Sequence, residues 1–334
     1  MSILLLSLDE EQLSVEQIAA VKRNIPEGMS FVLSRDVEAI KRVAQEIEIL
    51  AGWFDPEWLF EMPRLRWAQQ WGAGANWLMR YPKLQKAEFV LTNAVGVHAV
   101  QISEHVFAMI LALGRKLPNA IAAQNKHIWA HVKHPTEPLD TPFAISSGDL
   151  FELADKTLLV LGVGAIGERV AKLAQAFEMR VIGMRRRPEK PSPYVDQMAG
   201  PDRLREVLGS ADFIVNALPL TRATRYLLGA DELDAMKASA YLVNIGRGAT
   251  IDENALINAL QKGTIAGAAL DVFEQEPLPE SSPLWTMPNT LITSHYAGTT
   301  PRYHERALDI LLDNLQRYQN RQPLRNVVDK QRGY

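Results

Sequence analysis

The stretch Leu161-Gly162-Val163-Gly164-Ala165-Ile166-Gly167 constrains this chain more than any other. This G-x-G-x-x-G directly follows the apolar run Thr157–Leu161 and opens the amphipathic run Ile166–Phe177. A strand, a glycine turn and a helix in that order begin a βαβ unit of the dinucleotide-binding kind. Gly162 permits the tight turn, Gly164 lets backbone approach a pyrophosphate, and Gly167 lets helix and strand pack closely. Ala165 and Ile166 stand in the first helical turn, whose N–H groups and partial positive charge suit phosphates. A plain structural turn or a methyl-donor nucleotide site would use the same glycines, so the motif alone leaves the ligand open.

The rest of the chain alternates in the same way. Strands are expected at Ile3–Leu8, Ser30–Ser34, Ile47–Leu50, Leu65–Gln70 and Phe89–Thr92, with an amphipathic helix at Val15–Arg23. A second helix carries Val37, Ile40, Val43, Ala44 and Ile47, with Ser34 or Asp36 as its cap. After Thr157–Leu161, further strands are expected at Arg180–Met184, Phe213–Asn216, Ala240–Ile245, Ala266–Leu270 and Thr290–Thr293. Helices are expected at Ile102–Leu113, closed by Gly114, at Asn254–Gln261, and at Pro301–Tyr318. The polar, Pro-containing stretch from Pro118 to Gly148 reads as an insertion or interface arm. This rhythm predicts an α/β fold with two Rossmann-like domains, doubly wound parallel sheets and a cleft between them. Residues 1–97 plus 300–334 form the flavodoxin-like substrate domain, and residues 98–299 the dinucleotide-binding domain.

Composition narrows the function classes. The 334 residues carry 36 basic and 39 acidic side chains, for a net charge of −3, which favours neither nucleic acid nor an anionic membrane as partner. Cysteine is absent, which excludes disulfides, thiolate nucleophiles and cysteine-bound metals. The apolar Ile3–Leu6 lacks preceding basic residues and runs into Asp9-Glu10-Glu11, so it reads as a buried strand rather than a signal peptide. The expectation is a cytoplasmic protein. His127, His131 and His134 would share a helical face, but no acidic ligand lies between them, and no metal is expected. His98, His105 and His304 read as satisfied by their neighbours. Five of the seven tryptophans lie between Trp53 and Trp77, as core or as a pocket wall.

About 20 residues past the glycines, an NAD site would offer an acid to the ribose. This chain offers Arg185-Arg186-Arg187 instead, where arginines pair with a 2′-phosphate. NADP(H) is therefore the preferred cofactor, with NAD(H) possible; a solvated basic turn would leave the choice open.

Three further segments are Val243-Asn244-Ile245-Gly246-Arg247-Gly248, Leu270-Asp271-Val272-Phe273-Glu274-Gln275-Glu276-Pro277-Leu278 and Ile292-Thr293-Ser294-His295-Tyr296-Ala297-Gly298. With the glycine turn, they resemble the D-isomer-specific 2-hydroxyacid dehydrogenases. The basic turn resembles their NADPH-using glyoxylate and hydroxypyruvate reductase branch. The resemblance implies that Arg247 binds the carboxylate of a small 2-keto acid, in bidentate geometry and with permanent charge. It implies that His295 protonates the C2 oxygen as hydride arrives. Glu276 is implied as the carboxylate that favours the imidazolium and fixes its tautomer. It further implies that Leu218, Pro219 and Thr224 cover the adenosine half of the cofactor, and that Ile245 and Asp271 lie near the nicotinamide. Within Trp71-Gly72-Ala73-Gly74-Ala75-Asn76, the backbone N–H groups of Ala73 and Gly74 are implied to bind the substrate carboxylate. Asn76 stands where many relatives have Asp, and Ser294 where many have Pro.

The expected activity is NADPH-dependent reduction of a small 2-keto acid to a D-2-hydroxy acid. An NAD-linked dehydrogenase working oxidatively, or a dinucleotide-sensing regulator on the same fold, are the alternatives. A homodimer is expected.

Overall fold

The computed structural model describes residues 2–333, and the side chain of Asn76, with the expectation placed on it, lies outside what is described. Two compact units emerge, Met1–His98 with Thr299–Tyr334, and Ala99–Gly298.

The first unit is built on a parallel sheet of order β2-β1-β3-β4-β5. Its strands are β1 (Ser2–Ser7), β2 (Met29–Leu33), β3 (Ile47–Gly52), β4 (Trp67–Gln70) and β5 (Val90–Thr92). Successive side chains of a strand point to opposite faces. Leu5 and Leu50 enter one core, while Leu4, Leu6, Ile49 and Trp67 enter the other with Leu308, Leu311 and Leu315 of the C-terminal helix Tyr303–Gln319. A sheet covered on both faces needs such continuous apolar runs, which is why Ile3–Leu6 is uninterrupted. Helices α1 (Val15–Arg23) and α2 (Val37–Val43) are capped by Ser14 and Asp36, and α3 is the short Pro82–Lys86. The chain end returns along β5, where Val328 N–H donates to Leu91 O at 2.8 Å, covering an otherwise open sheet edge.

In the second unit, α4 (Ala99–Gly114) and α5 (Leu117–Asn125) meet at 70°. A two-residue ladder of β6 (Val132–Lys133) with β7 (Ile145–Ser146) follows. Then comes a seven-stranded parallel sheet, β10-β9-β8-β11-β12-β13-β14, with the strand order of a dinucleotide-binding fold. Its strands are β8 (Thr157–Leu161), β9 (Arg180–Met184), β10 (Gln197–Ala199), β11 (Phe213–Asn216), β12 (Tyr241–Asn244), β13 (Gly267–Leu270) and β14 (Thr290–Ile292). Between them run α6 (Ala165–Ala176), α7 (Leu204–Ser210), α8 (Ala230–Asp234) and α9 (Glu253–Lys262). Apolar side chains of the central strands fill cores on both faces.

Several expectations need correction. The apolar helix starts at Ala99, not Ile102, and ends at Gly114 as expected. A Cβ on Gly114 would meet the Phe151 ring, so this glycine serves packing within the helix. The break falls at Lys116, in the left-handed region at φ 53°. The stretch read as a polar arm from Pro118 therefore begins as α5, and β10 was not foreseen. Its three residues leave too short an apolar pattern to signal a strand. Among the described residues, no single helix is long and apolar enough to cross a membrane.

Candidate active site

The chemistry-bearing loops of the second unit follow the carboxyl ends of its strands, where doubly wound sheets place ligands. In the turn after β8, Gly162 takes φ +97°, and its N–H donates to Met184 O at 2.9 Å. A Cβ on Gly167 would collide with the Gly162 carbonyl, so helix and turn touch backbone to backbone. Gly164 differs, because a Cβ there would meet nothing within 4 Å. Helix α6 starts beside it with no side-chain cap, leaving the first-turn N–H groups, those of Ala165 and Ile166 included, to an outside acceptor. After β9, Arg186 and Arg187 are exposed, but Arg185 is half-buried. Its Nε and Nη2 are buried and have no partner among the described residues. Buried donors of this kind call for an acceptor. An open cradle of backbone N–H groups and an orphaned guanidinium together fit a phosphorylated dinucleotide.

Loops after β11 and β12 are tied by a buried polar network. Asn216 Nδ2 donates to Asn244 Oδ1 at 3.0 Å and to Thr250 Oγ1 at 2.6 Å. Asn216 Oδ1 accepts from Leu218 N–H at 3.2 Å, and Thr250 Oγ1 donates to Arg247 O at 2.6 Å. Thr224 closes its own turn by donating to Pro219 O at 2.6 Å. Ile245 is buried, with its N–H on Asn216 O at 3.1 Å. Sequence reasoning gave Thr250 and Asn244 no individual role. The available signal was a polar residue ending an otherwise apolar central strand.

Arg247, Glu276 and His295 come from three different loops. A Cβ on Gly248 would overlap the Phe273 backbone, so the Arg247 loop and the loop after β13 pack without an intervening side chain. Phe273 N–H donates to Glu276 Oε1 at 3.0 Å, and Glu276 Oε2 lies 2.6 Å from His295 Nδ1. His295 sits in the left-handed region at φ +54°. Arg247 donates from Nη1 to Gly246 O at 2.7 Å; burial pushes its guanidinium below the ordinary arginine range, and Glu276 works against that.

Asp271 is buried, and its carboxylate is spent largely on the His295 loop. Oδ1 accepts from Thr293 Oγ1 at 2.6 Å and from Tyr296 N–H at 3.1 Å, and Oδ2 accepts from Ala297 N–H at 3.2 Å. A carboxylate only accepts, so the Thr293 proton points at Asp271. The Thr293 oxygen then accepts from Nε2–H of His105, 3.0 Å away on α4. Burial depresses His105 below the usual histidine range, against the pull of Asp271. His304 accepts from Trp71 Nε1 at 3.3 Å, and His98 packs on Tyr303. His127, His131 and His134 lie beyond the end of α5 and share no helical face. No group of three or more His, Cys, Asp or Glu among the described residues is placed to hold a metal ion.

In the first unit, the loop after β4 holds Ala73 and Gly74. Gln70 is buried, and its Nε2 donates to Gly72 O at 2.9 Å and Gly74 O at 2.8 Å. Trp67 and Trp71 are core, whereas Trp53 is 40% exposed and stacks on Tyr303. The tryptophan run thus divides between packing and a surface wall.

Residues 107–297 match the model of the D-isomer specific 2-hydroxyacid dehydrogenase, NAD binding domain. The chain is 34% identical to a glyoxylate reductase of Aeropyrum pernix over 288 residues, 85% of this chain and 82% of that one. It resembles the structure of an NADPH-dependent glyoxylate/hydroxypyruvate reductase of Sinorhizobium meliloti in complex with NADP and sulfate, at 26% identity and TM-score 0.80 over all of both chains. It also resembles a D-isomer specific 2-hydroxyacid dehydrogenase of Xanthobacter autotrophicus in complex with NADPH and MES, at 28% identity and TM-score 0.80, covering 100% of this chain and 99% of that one.

Proposed function

We propose that this chain, which belongs to the D-isomer specific 2-hydroxyacid dehydrogenase family, uses NADPH to reduce a small 2-keto acid of the glyoxylate or hydroxypyruvate kind to a D-2-hydroxy acid. Membership makes it an NAD(P)-dependent oxidoreductase; the cofactor preference and the substrate are our reading. The observation that carries the reading is the His295–Glu276 pair at 2.6 Å, in the unit that also presents Arg247.

The dinucleotide, when bound, supplies the hydride. Arg247 offers the carboxylate a planar, permanently charged fork, and its burial strengthens that attraction. Glu276 Oε2 accepts a hydrogen bond from His295 Nδ1–H and so favours the imidazolium, whose Nε2–H protonates the oxygen at C2 as negative charge gathers there. Phe273 N–H holds the other Glu276 oxygen, so the carboxylate cannot swing away from the imidazole without losing a bond. Asp271 anchors the backbone on both sides of that imidazole, taking Tyr296 and Ala297 N–H on its side chain and His295 N–H on its carbonyl.

The NADPH preference is supported by the unpartnered Arg185 nitrogens, and by relatives whose structures hold NADP and NADPH. Assays of NADPH and NADH oxidation with glyoxylate, hydroxypyruvate and bulkier keto acids test it. Arg185→Asp with Arg186→Ala should weaken NADPH binding about 10-fold or more, through loss of charge-assisted bonds. A wild type that prefers NADH overturns the preference. We further propose a homodimer. Leu117, Ile121, Ile128, Trp129 and Val132 expose apolar surface along one segment of the second unit. Light scattering that gives a monomer at micromolar concentration refutes it.

A further inference from the structure

The carbonyls of Gly72, Ala73 and Gly74 are all held from within the first unit. Gln70 Nε2 takes Gly72 O and Gly74 O, and Ala94 N–H also donates to Gly72 O at 3.2 Å. Asn93 Nδ2 takes Ala73 O at 2.8 Å, while Asn93 Oδ1 is itself fixed by Val95 N–H at 3.1 Å. In a trans peptide, the N–H points opposite to the C=O. Holding Gly72 O therefore turns Ala73 N–H the other way, and holding Ala73 O does the same for Gly74 N–H. Neither N–H has a hydrogen-bond partner among the described residues. Unpartnered N–H groups of this kind are donors available to an anion.

Gln70 can do this only with its amide in one orientation, because the reverse would set its oxygen against two carbonyl oxygens. Trp77 fixes the orientation, since indole Nε1 is donor-only and donates to Gln70 Oε1 at 2.8 Å. We propose that Gln70, locked by Trp77, is the positioning residue that turns Ala73 N–H outward, beside the Gly74 N–H that Asn93 turns, to receive a carboxylate. The assignment rests on the 2-keto acid reading above and adds this chain's own means of holding the loop. A glutamate at 70 would repel the carbonyls and the bound anion alike, which is why a neutral amide with a donor and an acceptor end suits the place.

Wild-type turnover with glyoxylate, and calorimetric binding of oxamate, an unreactive planar mimic of a 2-keto acid, come first. If both are absent, the 2-keto acid reading fails, and the positioning role fails with it. If wild type is active, the variants decide. Gln70→Met keeps length and bulk and removes both donors, so KM for glyoxylate should rise about 10-fold with kcat within about 3-fold. NADPH affinity should not change. Trp77→Phe, which frees the Gln70 amide to flip, should raise KM about 3-fold, and decides alone if Gln70→Met does not fold. A lowered melting temperature with KM unmoved in both variants would show a structural role only and would overturn the proposal, leaving the 2-keto acid reading intact.

Discussion

The loop that carries Arg247 and the loop that carries Ala73 and Gly74 do comparable jobs and are built in opposite ways. The Arg247 loop is fixed by backbone contact. A Cβ on Gly246 would lie 2.7 Å from Leu218 O, and Gly248 lies against the Phe273 backbone. The 72–74 loop is fixed at a distance by long side chains, Gln70, Asn93 and, through Gln70, Trp77. Backbone contact demands glycine at set positions, so it leaves a motif. A side-chain brace demands only a donor of suitable length, so it leaves almost none. The first way of building suits a charged fork that must meet a carboxylate in fixed geometry.

The largest effect should separate the two loops by kinetic parameter. His295→Gln keeps a polar side chain with no transferable proton, so kcat should fall about 10²–10⁴-fold while NADPH binding persists. Loss of the brace at Gln70 should act on KM instead. Steady-state kinetics with a titration of NADPH fluorescence measures both. A kcat for His295→Gln within 10-fold of wild type would remove the histidine from proton transfer.

A smaller effect should distinguish the two kinds of glycine. Gly248→Ala forces the Phe273 backbone away and should destabilise by about 3 kcal/mol, at the upper end of overpacking costs. Gly72→Ala places its Cβ 3.5 Å from the Trp53 ring, an ordinary contact, and should cost under about 1 kcal/mol. Denaturant titration of the two variants makes the comparison. Equal losses would mean that the 72–74 loop is backbone-packed after all.

This contrast also explains what could be read in advance. The sheet strands were legible because parallel strands buried on both faces are short apolar runs between turn residues. The glycine turn was legible because its glycines stand close together between a strand and a helix, and the Arg247, Glu276 and His295 segments were read through their resemblance to a known family. Residues joining distant segments were not. Thr250 ties β11 to Arg247, and Gln70 needs Trp77 to make sense, but neither pairing has a local pattern. Helix α5 was hidden by Pro118, which reads as a breaker yet sits in the first turn of the helix, where its missing N–H costs nothing.

The smallest expected effect concerns how the second unit supports its own loop from behind. His105 reaches the His295 loop through Thr293 and Asp271; the direction of that chain requires Nε2–H, which neutral and protonated imidazole both supply, so it is burial that disfavours the charged ring. Burial holds the folded His105 below its unfolded range, which is near 6.5. The unfolded chain therefore takes up this proton first as pH falls. Stability from His105 is fully present above about pH 6.5 and is lost as pH drops through the folded value. His105→Gln can still donate to Thr293 from its amide but cannot titrate. Between pH 7.5 and pH 5, wild type should therefore lose more thermal stability than His105→Gln. Melting curves of both proteins across that range measure the difference. Parallel curves would mean that burial does not separate the titration of His105 in the folded chain from that in the unfolded chain.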